Sequence, residues 1–305
     1  MTPPSLTVVF ATYNRAKPLV RVLTAFTGLI APAGGWKLVV VDNGSTDATP
    51  SVLADFADRL PLVALSCPKP GKNRALNLAL PELRGDLAVF TDDDVLPDPD
   101  WLLRLREAAD SHPEADLFGG TVLPDWPTPP PAWLSEQAVE FSVLYAQQRR
   151  GSGPCGFADI FGPNMAIRTA LFAAGTRFAE HVGPDGTNPL YAMGSETELL
   201  RRLEAAGHRG WFQAEACVRH IIRPEQMEEG WILERAFRYG VGEGRHYARS
   251  LSAGLLLRLL VYRLAARGFA LLPPSPRRLR IRYRDRWLAG VMAGRPVARA
   301  SPSAG

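Results

Sequence analysis

Apolar and polar positions in the first 123 residues switch repeatedly between two periods. Short apolar runs rich in β-branched residues predict strands at Leu6–Ala11, Lys37–Asp42, Leu62–Ser66, Asp86–Thr91 and Asp116–Leu123. Between them, apolar residues recur three and four apart, which predicts helices over Lys17–Ile30, Ala48–Leu60, Lys72–Leu83 and Trp101–Ala109. Strands alternating with helices at this spacing predict an α/β chain built on a mostly parallel sheet flanked by helices. Pro124–Pro131 (PDWPTPPP) breaks the pattern, because proline fixes φ and donates no hydrogen bond. It marks a boundary between a first half, 1–123, and a second half, 124–226, with a helical, basic extension over 227–305. The second half is expected to hold helices near Ser135–Gln148 and Thr197–Ala206, and short strands at Gly210–Gln213 and Ala216–Ile222.

With 305 residues, 46% of them hydrophobic, the chain can bury one large core or two smaller ones. Charge is unevenly placed. From Arg258 to Arg299 there are eleven arginines and one acid, Asp285, so this segment carries +10 of a chain totalling +4 and the remainder carries −6. Basicity therefore belongs to the tail and gives no reason to expect a nucleic-acid partner. Cys67, Cys155 and Cys217 are widely scattered, which predicts reduced thiols, no zinc site and a cytoplasmic setting. MTPPSLTVVFATYN has no basic leader and does not resemble a signal peptide. The apolar stretch Ala253–Leu272 is interrupted by Arg258, Arg263 and Arg267, too costly for an ordinary transmembrane span. Arg277–Arg286 (RRLRIRYRDR) after that stretch suits peripheral contact with an anionic inner membrane face, or a charged helical surface packed on the rest of the chain or mediating self-association.

In parallel sheets, ligands bind beyond the carboxyl ends of the strands. Three polar clusters fall there: Thr12–Tyr13–Asn14–Arg15, Asp42–Asn43 and Asp92–Asp93–Asp94. No GxGxxG follows the first strand, and GxxxxGK[ST] is absent, so dinucleotide and P-loop readings lose their support. Adjacent aspartates repel unless a cation or water neutralises them, and their hard oxygens suit Mg2+ or Mn2+. An acidic turn capping the next helix, helped by Asp98 and Asp100, is the other reading. Asp42 can bind a ribose or base, or simply form the Asp-Asn-Gly-Ser turn. Lys72 and Arg74 can meet phosphate, or be a solvated helix start. Glu196 follows Gly194–Ser195 at a helix start, where a carboxylate is favoured by the helix dipole and can also act as a general base. His220 is either a satisfied histidine or an extra metal ligand beside the aspartates.

Taken together, VVFATYNRAKPL (Val8–Leu19), VVVDNGSTDAT (Val39–Thr49), GKNRALNLAL (Gly71–Leu80), DLAVFTDDDVLPDPDWL (Asp86–Leu102), FGPNMAIRTALF (Phe161–Phe172), GSETELLRRLEAAG (Gly194–Gly207) and CVRHI (Cys217–Ile221) resemble family 2 glycosyltransferases of the GT-A fold. The resemblance implies inverting transfer of a sugar from a nucleoside-diphosphate sugar to a hydroxyl of a glycan, lipid-linked or small-molecule acceptor. It implies a Mn2+ or Mg2+ cofactor held by Asp94 with His220, and Glu196 as the base. Thr12, Tyr13, Asn14, Arg15, Asp42, Lys72, Arg74, Asp92 and Asp93 would bind the donor, and Asn164 and Gly194 would line the sugar or acceptor pocket. Glu198 and Asp185 are the next carboxylates in line for the base. The third motif departs from the family pattern, with Leu76 where an arginine is usual, and Ser195 replaces one acid of the usual pair before the base. The triplet leaves open whether Asp93 or Asp94 holds the metal. A nucleotidyltransferase, or a catalytically silent nucleotide-sugar-binding protein, are the alternatives.

Overall fold

The computed structural model describes residues 5–183, 193–246 and 253–295. Their elements fall in two compact units. The first comprises residues 1–127, 145–189 and 194–222, and it holds the whole sheet. Its strands are β1 (Leu6–Thr12), β2 (Trp36–Asp42), β3 (Leu62–Ser66), β4 (Leu87–Phe90), β5 (Val95–Pro97), β6 (Leu117–Asp125), β7 (Gly153–Cys155), β8 (Met165–Arg168) and β9 (Gly210–Ile221). Their order is β3-β2-β1-β4-β8-β6-β9-β5, with β7 also paired to β9. β1 to β4, β6 and β9 point one way, and β5, β7 and β8 run against them, which makes a mixed, mostly parallel sheet.

Helices cover both faces, as the two interleaved sets of strand residues require. Leu6, Val8 and Phe10 face one core layer with α1 (Ala16–Thr27), α2 (Thr49–Phe56) and α4 (Trp101–Ser111). Val9, Val39 and Val41 face the other, with α3 (Lys72–Ala79), α6 (Thr169–Ala173) and α7 (Ser195–Ala205). Strands buried on both faces form continuous apolar runs, which is why VVF and LVVV are legible as strands. The chain winds outward through β1, β2 and β3, then returns to place β4 on the other side of β1. That reversal is a switch point, the place beyond the strand ends where open α/β sheets bind their ligands.

The second half departs from expectation at several points, β7 and α6 among them. β8, unpredicted, inserts antiparallel between β4 and β6. Its four residues are too few to carry a period of their own. The two short strands expected at 210–222 are one, β9, whose register against β6 shifts between Gly120 and Thr121. A Cβ on Gly120 would run into the Ala216 carbonyl there, so the irregularity needs glycine. The helix expected over Ser135–Gln148 is reduced to α5 (Phe141–Tyr145). The chain leaves the first unit at Pro127, inside the proline-rich stretch, and strands from before and after that stretch share one sheet.

The second unit comprises residues 128–144, 190–193 and 223–305. Its described helices include α8 (Glu229–His246), α9 (Ala253–Ala270) and α10 (Pro276–Ala293). α8 and α10 meet through Gly240 and Gly244 on one and Gly290 and Gly294 beyond it on the other. A Cβ on any of the four would strike a backbone carbonyl of the facing helix. Ser275 Oγ accepts from the Arg278 amide at 3.2 Å and Pro276 follows it, a helix start that needs no further partner. Arg278 and Arg282 both close on Glu229, at 2.9 and 2.7 Å. Among the described residues, no helix is long and apolar enough to cross a membrane.

Candidate active site

β1 and β4 are parallel neighbours with Val9 opposite Phe90, so the residues after β4 run alongside the end of β1. Thr12 Oγ1 thereby donates to Asp93 Oδ2 at 2.8 Å. β5 continues the chain and pairs with β9, with Val95 opposite His220. The Ile221 amide donates to the Asp94 carbonyl at 2.8 Å, and this pairing brings His220 Nε2 to 3.5 Å from Asp94 Oδ1. His220 Nδ1 lies 2.8 Å from the Tyr145 carbonyl. A carbonyl can only accept, so Nδ1 carries a hydrogen, and in the neutral ring the Nε2 lone pair is left facing Asp94. Arg15 stands 3.8 Å from Asp93 and 3.7 Å from Asp94.

The other side of the cluster is built by two helix starts. Lys72 opens α3 after Gly71, whose φ of +135° favours glycine. Its Nζ lies 2.6 Å from Asp92 Oδ1 and 2.7 Å from Glu196 Oε1. Glu196 stands in the first turn of α7, behind Gly194 at φ +98°. Ser195 Oγ donates to its second oxygen at 2.7 Å. A Cβ on Gly162 would lie 3.0 Å from Glu196 Cγ and Cδ, so glycine leaves the carboxylate its room.

Electrostatics sort the acids. Partial burial and the Asp94 charge push Asp93 up to about 7, against the pull of Arg15 and Thr12. Burial also raises Asp92, with Lys72 opposing. Asp94 is subject to the same burial, but the hydrogen bond and charge of His220, with Arg15, bring it down to about 2. Glu196 is likewise opposed by burial yet lowered to about 2 by Lys72 and Ser195. Lys72, despite burial, is raised by Asp92 and Glu196, and His220 is raised mainly by Asp94. Four carboxyls face one lysine, one arginine and one histidine, so the group count leaves negative charge in excess, and burial is the main reason that Asp92 and Asp93 are raised.

The fold thus gathers Thr12, Arg15, Lys72, Asp92, Asp93, Asp94, Glu196 and His220. Other predicted residues are placed differently. Asn164 is fully buried: its Nδ2 donates to Thr121 and Ala216 carbonyls at 3.0 and 2.8 Å, and its Oδ1 accepts from Trp101 at 2.9 Å. All its polar capacity ties β6, β9 and α4 together, so it holds the sheet instead of lining an open pocket. Arg74 pairs with Glu180 at 3.0 Å, away from the aspartates. Asp42 Oδ1 accepts from the Ser45 amide at 2.9 Å, a turn-forming contact that leaves its other oxygen for a ligand. Asn14, at φ +51°, accepts from the Thr46 amide at 2.8 Å and links two strand-end loops, while Tyr13 is exposed. Glu198 pairs with Arg202 one turn along α7 at 2.7 Å. Asp185 lies outside the described residues.

Sequence reasoning missed the residues that position the cluster: Ser195 as a donor to Glu196, Gly162 beneath it, and the Tyr145 carbonyl behind His220. Asn43, named with Asp42 in the second polar cluster, has a task its position does not reveal: its side chain donates to the Cys67 and Lys69 carbonyls at 2.9 and 2.8 Å and accepts from the Gly71 amide at 2.9 Å, setting the start of α3. Only Asn43 carried a signal, its place directly after the second strand.

Among the described residues, no three His, Cys, Asp or Glu side chains form a ready metal cage. Asp94 and His220 still fit a divalent cation that completes its shell with diphosphate oxygens and water, which is how Mg2+ and similar ions are usually held beside phosphates. An ion there would take the place of the Nε2 proton that His220 shares with Asp94, and both the orientation of Nε2 and the surplus negative charge agree with it.

Strand-end aspartates at the switch point of a mostly parallel sheet, faced by a second-half carboxylate, define a GT-A type protein. The model of glycosyl transferase family 2 matches residues 7–175, and the chain belongs to that family. It is 28% identical over 210 residues to the glucosyl-dolichyl phosphate glucuronosyltransferase of Haloferax volcanii, a match covering 67% of this chain and 65% of that relative's length. It is 25% identical to the succinoglycan biosynthesis protein ExoM of Rhizobium meliloti, covering 85% of this chain and 82% of the relative. Among solved structures, the mannosyltransferase PcManGT from Pyrobaculum calidifontis, in complex with GDP-Man and Mn2+, aligns with a TM-score of 0.63 at 20% identity, over 96% of this chain and 87% of that one. S. aureus TarS 1-349 in complex with UDP-GlcNAc aligns at 0.54 and 14% identity, over 94% and 90%.

Proposed function

We propose that this chain moves a sugar from a nucleoside-diphosphate sugar to an acceptor hydroxyl, with inversion at the anomeric carbon and a divalent cation at Asp94 and His220. The observation that carries this reading is the meeting of Asp92, Asp94, Lys72, Glu196 and His220, drawn from both halves of the first unit, at the switch point of the sheet. Thr12, Tyr13, Asn14 and Asp42 contact the nucleoside end of the donor, and Arg15, Asp92 and Asp93 lie towards its ribose and diphosphate. Mn2+ or Mg2+ would supply Lewis-acid stabilisation of the departing diphosphate, and an imidazole beside a carboxylate favours a transition ion such as Mn2+.

Glu196 is the general base. It stays ionised at neutral pH, but in the free protein Lys72 grips it and weakens its basicity. A donor diphosphate offers Lys72 a competing anion, so donor binding draws the ammonium away and frees the carboxylate for the acceptor proton. The relative named for a dolichyl phosphate substrate supports a lipid-linked acceptor, and ExoM supports a glycan one. A cytoplasmic setting agrees with the three free cysteines.

The test is release of nucleoside diphosphate from UDP- and GDP-sugars with Mn2+ and a panel of hydroxyl acceptors. Acceptor-dependent release is expected with at least one donor. Release of sugar 1-phosphate, the group left when the nucleotidyl part is transferred, would assign a nucleotidyltransferase instead. Binding without release would assign a silent nucleotide-sugar-binding protein.

A further inference from the structure

The Arg277–Arg286 stretch looked from its sequence like the basic surface that meets a membrane, but most of its charges are engaged within the second unit. Arg278 and Arg282 share Glu229, and Arg280 donates to the Gln137 carbonyl. Arg284 stands 3.8 Å from Glu140, and Arg286 lies over the Phe237 ring. α9 is different. Among the described residues, six of the ten exposed large hydrophobic side chains are on α9 and the turn after it: Leu257, Leu260, Val261, Leu264, Leu271 and Leu272. The first four recur at i, i+3, i+4 and i+7, one continuous stripe of the helix. Arg258 flanks the stripe on one side, and Arg263 and Arg267 flank it on the other. α9 carries no acid. Arg258 and Arg267 have no acidic partner among the described residues, whereas Arg263 meets Asp285 at 2.9 Å.

Beside this stripe lies a cavity of about 180 Å3 walled by α8, α9 and α10. Arg263, Arg267, Arg282 and Arg286 line it, with Asp285 its single lining acid. With Arg263 matched by Asp285 and Arg282 by Glu229, the charges of Arg267 and Arg286 remain uncompensated by carboxylates.

We propose that α9 lies in the surface of an anionic phospholipid bilayer, its leucine stripe at the acyl boundary and a headgroup phosphate in the arginine-lined cavity. An exposed apolar stripe alone would fit several occupants. Charge selects among them, because a second copy would bring arginine-flanked stripes together and repel. An anionic bilayer satisfies both the stripe and its flanks. Guanidinium groups bind phosphate oxygens in pairs, so the cavity fits the headgroup chemistry. This concerns the second unit alone and stands whether or not the transferase reading does.

The test is co-sedimentation of the full chain with vesicles of phosphatidylglycerol and phosphatidylcholine, and with vesicles of phosphatidylcholine alone. Binding to the anionic vesicles is expected, weakening steeply with added salt. Leu260→Ser with Leu264→Ser should lower partitioning by about tenfold or more, since apolar burial drives insertion. Arg267→Gln should lower it by about fivefold. Both changes sit on exposed positions, and circular dichroism checks that the helices survive. Equal binding to both vesicle types, or no loss in the leucine double variant, overturns the proposal. So does stabilisation by inorganic phosphate without vesicle binding, which assigns the cavity to a free anion. A dimer that the leucine double variant abolishes, again without vesicle binding, assigns the stripe to a second copy and overturns it equally.

Discussion

The two units each concentrate one sign of charge, and the aspartate triplet of one and the arginines of α10 that meet Glu229 and Glu140 in the other are handled in opposite ways. In the first, Asp92, Asp93, Asp94 and Glu196 converge where the backbone ends its strands, and the nearby cations do not balance them. In the second, α10 is crowded with arginines, yet Glu229 and Glu140 answer three of those charges and packing holds the helix. Density of charge along a chain therefore says little about function. A surplus left unanswered after folding marks a place for a ligand, and one answered by neighbours marks structure.

Four substitutions test that contrast. Glu196→Gln keeps the shape of the acidic cluster but removes its base, and turnover should fall by roughly 10²–10⁴-fold while nucleotide affinity holds. Steady-state kinetics beside nucleotide titration measure both, and near-normal turnover moves the base role to Glu198. Asp94→Asn should weaken Mn2+-dependent donor binding by about 10–100-fold. Thermal shift with nucleoside diphosphate reads it, because ligands of the folded state raise its stability. If the Mn2+ response survives there but vanishes in Asp93→Asn, the metal belongs to Asp93. Gly290→Val drives a side chain against the Phe237 carbonyl across α8 and α10, and melting should show a loss of about 1–3 kcal/mol. An unchanged melting curve would mean the close approach of the helices is dispensable. Arg284→Gln removes a half-exposed pair at 3.8 Å and should alter stability by less than about 0.5 kcal/mol.

Legibility followed length and period. β1, β2 and β3 and the helices between them were visible because each carries enough apolar residues to display its repeat, and β3 matches its expected bounds. β5, β7 and β8 have three or four residues apiece and show none. These short strands are the ones that turn the second half against the first and bring His220 to Asp94. Asn164 shows the same limit from the other side. Its motif is visible, but whether the amide faces a pocket or three buried partners depends on β6 and β9, which are remote in the chain.

Alternating apolar runs, a broken tail of arginines and polar residues directly after strands are local properties, set by neighbours a few positions apart. From them come the α/β class, the edge of the sheet where the polar clusters gather and the aspartate triplet as a candidate cation site. Which groups meet across that edge is a different matter. Lys72 reaches Glu196 over a separation of 124 residues, a contact that no period encodes and that β-pairing and the placement of α3 and α7 create. Burial then separates the acids, lifting Asp93 while His220 and Lys72 hold Asp94 and Glu196 ionised. Those values depend on distance and solvent exclusion, which exist only once the chain has folded.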